Sequence, residues 1–176
     1  MKLHKDPFGL AHGLDAIVDF PKPGIVFQDI SPLLKNHFQA TIDAMAQLFT
    51  EQEWAQVDCL VGVESRGFIF ASALAYKLDK GVIKARKPGK LPNVAASVTY
   101  GLEYGDDQLE MQQGDGKKVI ILDDLIATGG SMQAAAQLCE KVGYEVVGMG
   151  CVIDLKPLNQ FAFRGKTVRA LIEFTD

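Results

Sequence analysis

The apolar run Val119-Ile120-Ile121-Leu122 leads directly into Asp123-Asp124, then Thr128-Gly129-Gly130-Ser131, then a stretch whose apolar residues recur at helical spacing. A continuous apolar run leaves no polar side for water, so it suits a strand buried on both faces, as in a parallel sheet covered by helices. Over residues 131–142, Met132, Ala135, Ala136, Cys139 and Val142 share one stripe, and Gly143 offers a stop. Strand, turn and helix in that order belong to a βαβ unit, and open α/β sheets bind ligands at the carboxyl ends of their strands.

The same alternation runs through the chain. A helix is predicted over 38–51, through Ile42, Met45, Leu48 and Phe49, a strand over 57–63, a helix over 68–78 and a strand over 82–85. Further strands are predicted over 95–100, 119–122, 145–153 and 168–174. The expected class is therefore α/β with a largely parallel sheet. With 176 residues and 48% apolar content, the chain can build a substantial core as one domain over 1–176. Residues 1–6 lack a signal-peptide pattern, and no apolar run reaches membrane length, so no membrane association is expected. Cys59, Cys139 and Cys151 are odd in number, far apart and set in apolar surroundings, which points to buried thiols in a reducing compartment, the cytoplasm. A net charge of −4 argues against general nucleic-acid binding.

The turn after the strand carries chemistry. Gly129 and Gly130 let the backbone approach a ligand and adopt conformations closed to other residues, so the N–H groups of Ala127, Thr128, Gly129, Gly130 and Ser131 can converge on one anion. A helix N-terminus adds its dipole, and the hydroxyls of Thr128 and Ser131 add donors. Asp123 and Asp124 would repel that anion, so they should face sugar hydroxyls or a metal ion. A ribose 5-phosphate satisfies both halves.

A second glycine loop, Gly62-Val63-Glu64-Ser65-Arg66-Gly67, follows the strand over 57–63. Phe68 and Ile69 stand where a nucleotide P-loop would carry Lys and Ser or Thr, so that motif is excluded.

Segment 119–131 resembles the signature of the phosphoribosyltransferases: a hydrophobic strand, two acids, a small residue, Thr-Gly-Gly and Thr or Ser. In that family it binds the ribose and 5-phosphate of phosphoribosyl pyrophosphate. Four more stretches are similar, in the same order, to the adenine-accepting branch of the type I family. They are Asp19-Phe20-Pro21-Lys22-Pro23-Gly24-Ile25-Val26-Phe27-Gln28-Asp29-Ile30-Ser31-Pro32-Leu33-Leu34, then Gly62 to Phe68, then Arg86-Lys87-Pro88-Gly89-Lys90-Leu91-Pro92, then Leu102-Glu103-Tyr104-Gly105. The resemblance runs from about Leu14 to Asp154.

That resemblance implies a five-stranded parallel core flanked by helices, with a small hood over the base built from about residues 1–34 and from C-terminal elements. It implies purine salvage: transfer of the 5-phosphoribosyl group from phosphoribosyl pyrophosphate to adenine, giving AMP and pyrophosphate, with Mg²⁺ as cofactor. Mg²⁺ would be held mainly by substrate and water, so no protein metal cage is expected. The N–H groups of Glu64, Ser65, Arg66 and Gly67 would face the pyrophosphate, with Arg66 adding a planar donor fork and a cis peptide at Glu64-Ser65. Arg86, Lys87 and Lys90 would contribute to pyrophosphate binding near the interface of a homodimer. Glu103 would act as general acid/base on the imidazole side of adenine, and Tyr104 would help cover the site. Phe27 would stack on the purine while the backbone of Val26 reads its edge. Gln28 stands where the family most often has Arg, so an arginine's role there does not carry over, and Gln28 itself is expected among the substrate-binding residues beside Val26 and Phe27.

Two alternatives stand beside this reading. A relative acting on guanine, hypoxanthine or xanthine would need a donor such as Lys for the six-position carbonyl, and the Val26-Phe27 segment argues against it. A non-catalytic sensor of phosphoribosyl pyrophosphate that binds nucleic acid would need an added DNA-binding domain or a strongly basic face, and this short acidic chain has neither.

Overall fold

The computed structural model describes residues 1–102 and 105–176. Strand β1 (Lys2–Lys5) is followed by a hairpin of β2 (Asp15–Val18) and β3 (Val26–Asp29). Helices α1 (Ser31–Asn36), α2 (Phe38–Ala46) and α3 (Glu51–Ala55) come next. Then β4 (Cys59–Val63), α4 (Arg66–Leu78) and β5 (Gly81–Ala85) form a βαβ unit, and β6 (Val94–Leu102) pairs with β7 (Gly105–Gln112). The chain continues through β8 (Lys118–Ile126), α5 (Gly130–Lys141), β9 (Glu145–Leu155), the short pair β10 (Ala162–Phe163) and β11 (Lys166–Thr167), and β12 (Arg169–Thr175).

The main sheet has the order β1-β12-β9-β8-β4-β5, with β12, β9, β8, β4 and β5 parallel and β1 antiparallel along one edge. The five-stranded parallel core is thus present, extended by one N-terminal strand. β8 lies inside the sheet between β9 and β4, which is why its sequence is apolar on both faces. Strand alternation sends Ile120 and Leu122 to one side, where they pack with Leu60, Met45, Trp54, Phe70 and Leu74. Val119 and Ile121 face the other side, with Val61, Met132, Ala135, Leu138 and Cys139. The helical stripe read from the sequence is therefore the buried face of α5.

Three local expectations need correction. The helix predicted over 38–51 ends at Ala46, and a separate α3 begins after Thr50. Thr50 Oγ1 accepts the Glu53 N–H at 3.1 Å while the Glu53 carboxylate accepts the Thr50 N–H at 2.9 Å. This reciprocal cap restarts the helix, whereas the buried Phe49 and Trp54 carry the apolar period across the break. The strand predicted over 95–100 exists, but as β6 it pairs antiparallel with β7 outside the main sheet. β7 was hidden by its polar residues, although Leu109 and Met111 are buried at a spacing of two. Finally, β8 continues to Ile126, so Asp123 and Asp124 lie within the strand and not beyond it.

Residues 1–34 divide between the sheet edge (β1), the β2–β3 hairpin and the start of α1. Among the described residues, no helix is long and apolar enough to cross a membrane. Cys139 and Cys151 are buried and unpaired, and Cys59 is half-buried and unpaired.

Candidate active site

Parallel strands β4 and β8 are neighbours, and each runs at its carboxyl end into a helix, α4 and α5 respectively. Between these ends lies a cleft of about 570 Å³, lined by Glu64, Ser65, Arg66, Lys87, and every residue from Asp123 to Met132. The two glycine loops identified separately in the sequence thus share one site.

In the β8–α5 loop, Gly129 has φ +92°, a backbone conformation that favours glycine, and a Cβ there would lie 3.1 Å from the Phe161 Cβ, close enough that Phe161 would have to give way by a few tenths of an ångström. Gly130 differs from expectation: it is the first residue of α5, and an added Cβ would meet nothing closer than 3.5 Å. Unusual backbone is needed at Gly129 alone. The opening N–H groups of α5 have no intrahelical acceptor, and Ala127, Thr128 and Ser131 line the cleft beside them.

Asp123 and Asp124 are both buried on the cleft wall. The Asp124 N–H donates to Asp123 Oδ1 at 2.9 Å. Burial, and secondarily the charge of Asp124, pushes the Asp123 carboxyl well above the usual carboxylate range. Asp124 Oδ2 lies 2.5 Å from Arg66 Nε, so this acid already has a cationic partner. Its carboxylate is shared with Arg66 and not left wholly to a sugar.

The Glu64-Ser65 peptide is cis. The Glu64 N–H donates to the Ala85 carbonyl at 2.9 Å, so it does not point to a leaving group as expected. Its carboxylate accepts the Lys87 N–H at 2.6 Å and the Arg86 guanidinium at 3.2 Å. Burial raises the Glu64 carboxyl, but the Arg86 and Lys87 hydrogen bonds outweigh it and hold the group below its ordinary value. Gly67 is a packing glycine: a Cβ would stand 2.7 Å from the Leu122 carbonyl oxygen, so α4 is pressed against β8 where both face the cleft.

Of the three cations predicted together, only Lys87 lines the cleft. Its ammonium contacts the Asp107 carboxylate and the Tyr100 hydroxyl, which joins the basic segment to the β6–β7 pair. Arg86 is turned toward Glu64 and also donates to the Lys90 carbonyl at 3.2 Å. Neither Arg86 nor Lys90 is part of the cleft lining.

On the β2–β3 hairpin, Val26 is exposed, Phe27 half-buried and Gln28 buried. The Phe27 ring packs edge-on to Phe20 at 5.2 Å, and the Arg66 guanidinium sits 5.7 Å from the Phe27 ring centre. Arg66 therefore contacts both the hairpin and Asp124 of β8. Glu103 and Tyr104 fall between β6 and β7 in the sequence and lie outside the described residues.

Sequence reasoning missed Leu125, Ile126 and Met132 in the cleft wall. It also missed Phe161, whose packing on Gly129 joins positions 32 residues apart with no local motif to announce it. Among the described residues, no group of three or more His, Cys, Asp or Glu side chains gathers as a dedicated metal site would require. The carboxylate oxygens of Asp123 and Asp124 are hard donors of the kind Mg²⁺ prefers, and this donor set fits an ion carried chiefly by substrate oxygens and water.

Comparison with known proteins agrees with this geometry. The family model described as the phosphoribosyl transferase domain matches residues 31–160. An adenine phosphoribosyltransferase of Hydrogenovibrio crunogenus is 72% identical over 95% of this chain and 97% of its own length. One from Pseudothermotoga lettingae is 46% identical over 90% of this chain and 95% of its own. Among solved structures, adenine phosphoribosyltransferase from Thermoanaerobacter pseudethanolicus superposes with a TM-score of 0.84 at 37% identity, covering 94% of this chain and 98% of that one. The Saccharomyces cerevisiae enzyme, complexed with an imino-altritol bisphosphate and adenine, gives 0.82 at 38% identity, covering 92% and 96%.

Proposed function

This chain belongs to the phosphoribosyltransferase family, among the adenine phosphoribosyltransferases, and from that premise we propose how its cleft works in purine salvage. The reaction moves the 5-phosphoribosyl group from phosphoribosyl pyrophosphate to adenine. N9 of adenine bonds to the anomeric carbon, the bond from that carbon to the pyrophosphate oxygen breaks, and N9 gives up its proton; the products are AMP and pyrophosphate. The observation that carries this reading is the meeting of the Gly129 loop, the Asp123-Asp124 pair and the Ser65-Arg66 turn in one cleft beside the Phe27 hairpin.

The 5-phosphate sits on the N–H groups at the start of α5 with the hydroxyls of Thr128 and Ser131. Asp123 and Asp124 accept the ribose hydroxyls and favour the positive charge that develops on the sugar as pyrophosphate leaves. Arg66 and Lys87, with the N–H groups of Ser65 and Arg66, receive the pyrophosphate. Phe27 stacks on the adenine, and the backbone of Val26 reads its edge. Glu103 takes the purine proton in nucleotide synthesis and returns it in the reverse direction, while Tyr104 covers the site. Asp123 and Asp124 are the residues that would help hold Mg²⁺, which would supply charge neutralisation for the pyrophosphate. Residues 1–176 act as a single catalytic unit, the β2–β3 hairpin covering the base. A cytoplasmic address, supported by unpaired thiols, and a homodimer complete the proposal.

The test is to incubate the purified protein with Mg²⁺ and phosphoribosyl pyrophosphate and offer adenine, hypoxanthine, guanine and xanthine separately. AMP from adenine, in step with pyrophosphate, is expected. Nucleotide from another purine in preference to adenine would overturn the base assignment, and nucleotide from none would overturn the proposal.

A further inference from the structure

Behind the phosphate loop stands a polar brace. The parallel register pairs Asp154 of β9 with Ile126 of β8, immediately before the loop begins. Asp154 is almost wholly buried, and its Oδ2 is 2.6 Å from the Lys156 ammonium. The chain then turns through residues 156–158 and brings Asn159 back over the loop. Asn159 Nδ2 donates to the Ala127 carbonyl at 2.8 Å and to Asp154 Oδ1 at 3.0 Å, with the Leu155 carbonyl more distant at 3.2 Å. Its Oδ1 accepts the Phe161 N–H at 3.2 Å.

These partners fix the amide's orientation. A carboxylate and two carbonyls can only accept, and a backbone N–H can only donate, so the nitrogen must face Ala127 and the oxygen must face Phe161. Asn159 thereby holds the loop at two points: directly at Ala127, and through Phe161 at Gly129, where that ring fills the space a side chain would need. Both held residues line the cleft, whereas Asn159 itself is not in its wall.

We propose that Asn159 is a positioning residue for the phosphate loop, setting the direction of the loop's N–H groups by fixing the Ala127 peptide and the Phe161 side chain. The inference rests on the assignment of residues 127–131 to the 5-phosphate. A loop held this way meets its anion already ordered, so the cost of ordering falls on folding and not on binding.

The experiment uses Asn159→Ala and the nearly isosteric Asn159→Asp, whose carboxylate cannot donate to Ala127 and would set a second negative charge against Asp154. Titration calorimetry with ribose 5-phosphate and, separately, with Mg²⁺ and pyrophosphate reads the two halves of the site. Asn159→Ala should weaken ribose 5-phosphate about tenfold, the equivalent of one hydrogen bond of about 1.4 kcal/mol, and leave pyrophosphate affinity unchanged. Asn159→Asp should weaken it at least as much at neutral pH. In steady state, the KM for phosphoribosyl pyrophosphate should rise while that for adenine holds. Wild-type affinity for ribose 5-phosphate in both variants would overturn the inference, as would equal weakening of both ligands, which is the mark of general destabilisation. Absence of ribose 5-phosphate binding in the wild type would instead overturn the loop assignment beneath it.

Discussion

Arg66 Nε lies 2.5 Å from Asp124 Oδ2, and the same guanidinium stands 5.7 Å from the centre of the Phe27 ring. One side chain thus touches one of the two proposed sugar acids and the proposed base hairpin. Arg66→Met removes a charge-assisted contact, worth roughly 1.5–3 kcal/mol, so pyrophosphate affinity should fall by about 10- to 100-fold. Arg66→Lys keeps the charge but loses the planar fork and should recover only part of it. Calorimetry with Mg²⁺ and pyrophosphate checks this, and equal affinity in all three proteins would remove Arg66 from the binding role.

Gly67 and Gly130 should respond differently to alanine. A Cβ at Gly67 would press on the Leu122 backbone at 2.7 Å, and a strand carbonyl has little room to move. Overpacking of this kind costs about 1–3 kcal/mol, which lowers the Tm of a domain this size by roughly 3–10 °C. At Gly130 the nearest atoms are 3.5 Å away and the residue is already helical, so Gly130→Ala should leave the ligand-free protein no less stable. Thermal unfolding of the two variants should separate them; equal losses would contradict the packing argument.

Asp123 supplies a pH dependence. Burial first, and the Asp124 charge second, raise its carboxyl in the folded chain. Below the ordinary carboxylate range it is protonated folded or unfolded and costs nothing. As pH climbs from that range toward the raised folded value, the unfolded chain loses the proton first, and stability falls. Asp123→Asn removes this loss, so its urea midpoint should gain on the wild type as pH rises above the ordinary carboxylate value of about 4. A difference that stays constant as pH rises past that value would show that Asp123 ionises normally. Glu53 acts in the opposite sense: the Arg169 hydrogen bond leads in lowering it to about 2, so its contribution is present above the ordinary value and lost as pH falls through about 2.

Glu103 is the residue proposed for proton transfer at the purine. Glu103→Gln should lower kcat by about 10²- to 10⁴-fold, the usual range for a positioned general base, with little change in donor affinity. Rapid-quench turnover beside calorimetric donor binding separates the two effects. Unchanged turnover would exclude the acid/base role.

The sheet was legible because its chemistry is local. Val119 to Leu122 could satisfy only a strand covered on both faces, and Met132 to Val142 only a helix with one buried stripe. The Thr50–Glu53 cap was equally readable, since a Thr three residues before Glu is a start signal, but the apolar period running on through Phe49 and Trp54 masked it. What stayed hidden arises where distant segments meet. No spacing announces that Phe161 fills the space above Gly129, or that Ala85 takes the Glu64 N–H. Arg86 and Lys87 read as a pair of like charges, yet one peptide step sends the first side chain to Glu64 and the second to Asp107. Adjacency in sequence fixed their charge and left their direction to tertiary packing.

Strand β1 also has a practical bearing on handling the protein. Lys2–Lys5 covers the outer edge of β12, and Lys5 fastens it through the Ala170 carbonyl at 3.2 Å and Glu173 at 3.0 Å. Trimming those few residues would bare the unpaired amides and carbonyls of β12, a seven-residue strand containing Ala170, Leu171, Ile172 and Phe174, to any passing chain. A truncated preparation should therefore scatter light and precipitate on storage while its cleft remains intact, and a purification tag is better joined through a linker that leaves this border strand free to pair.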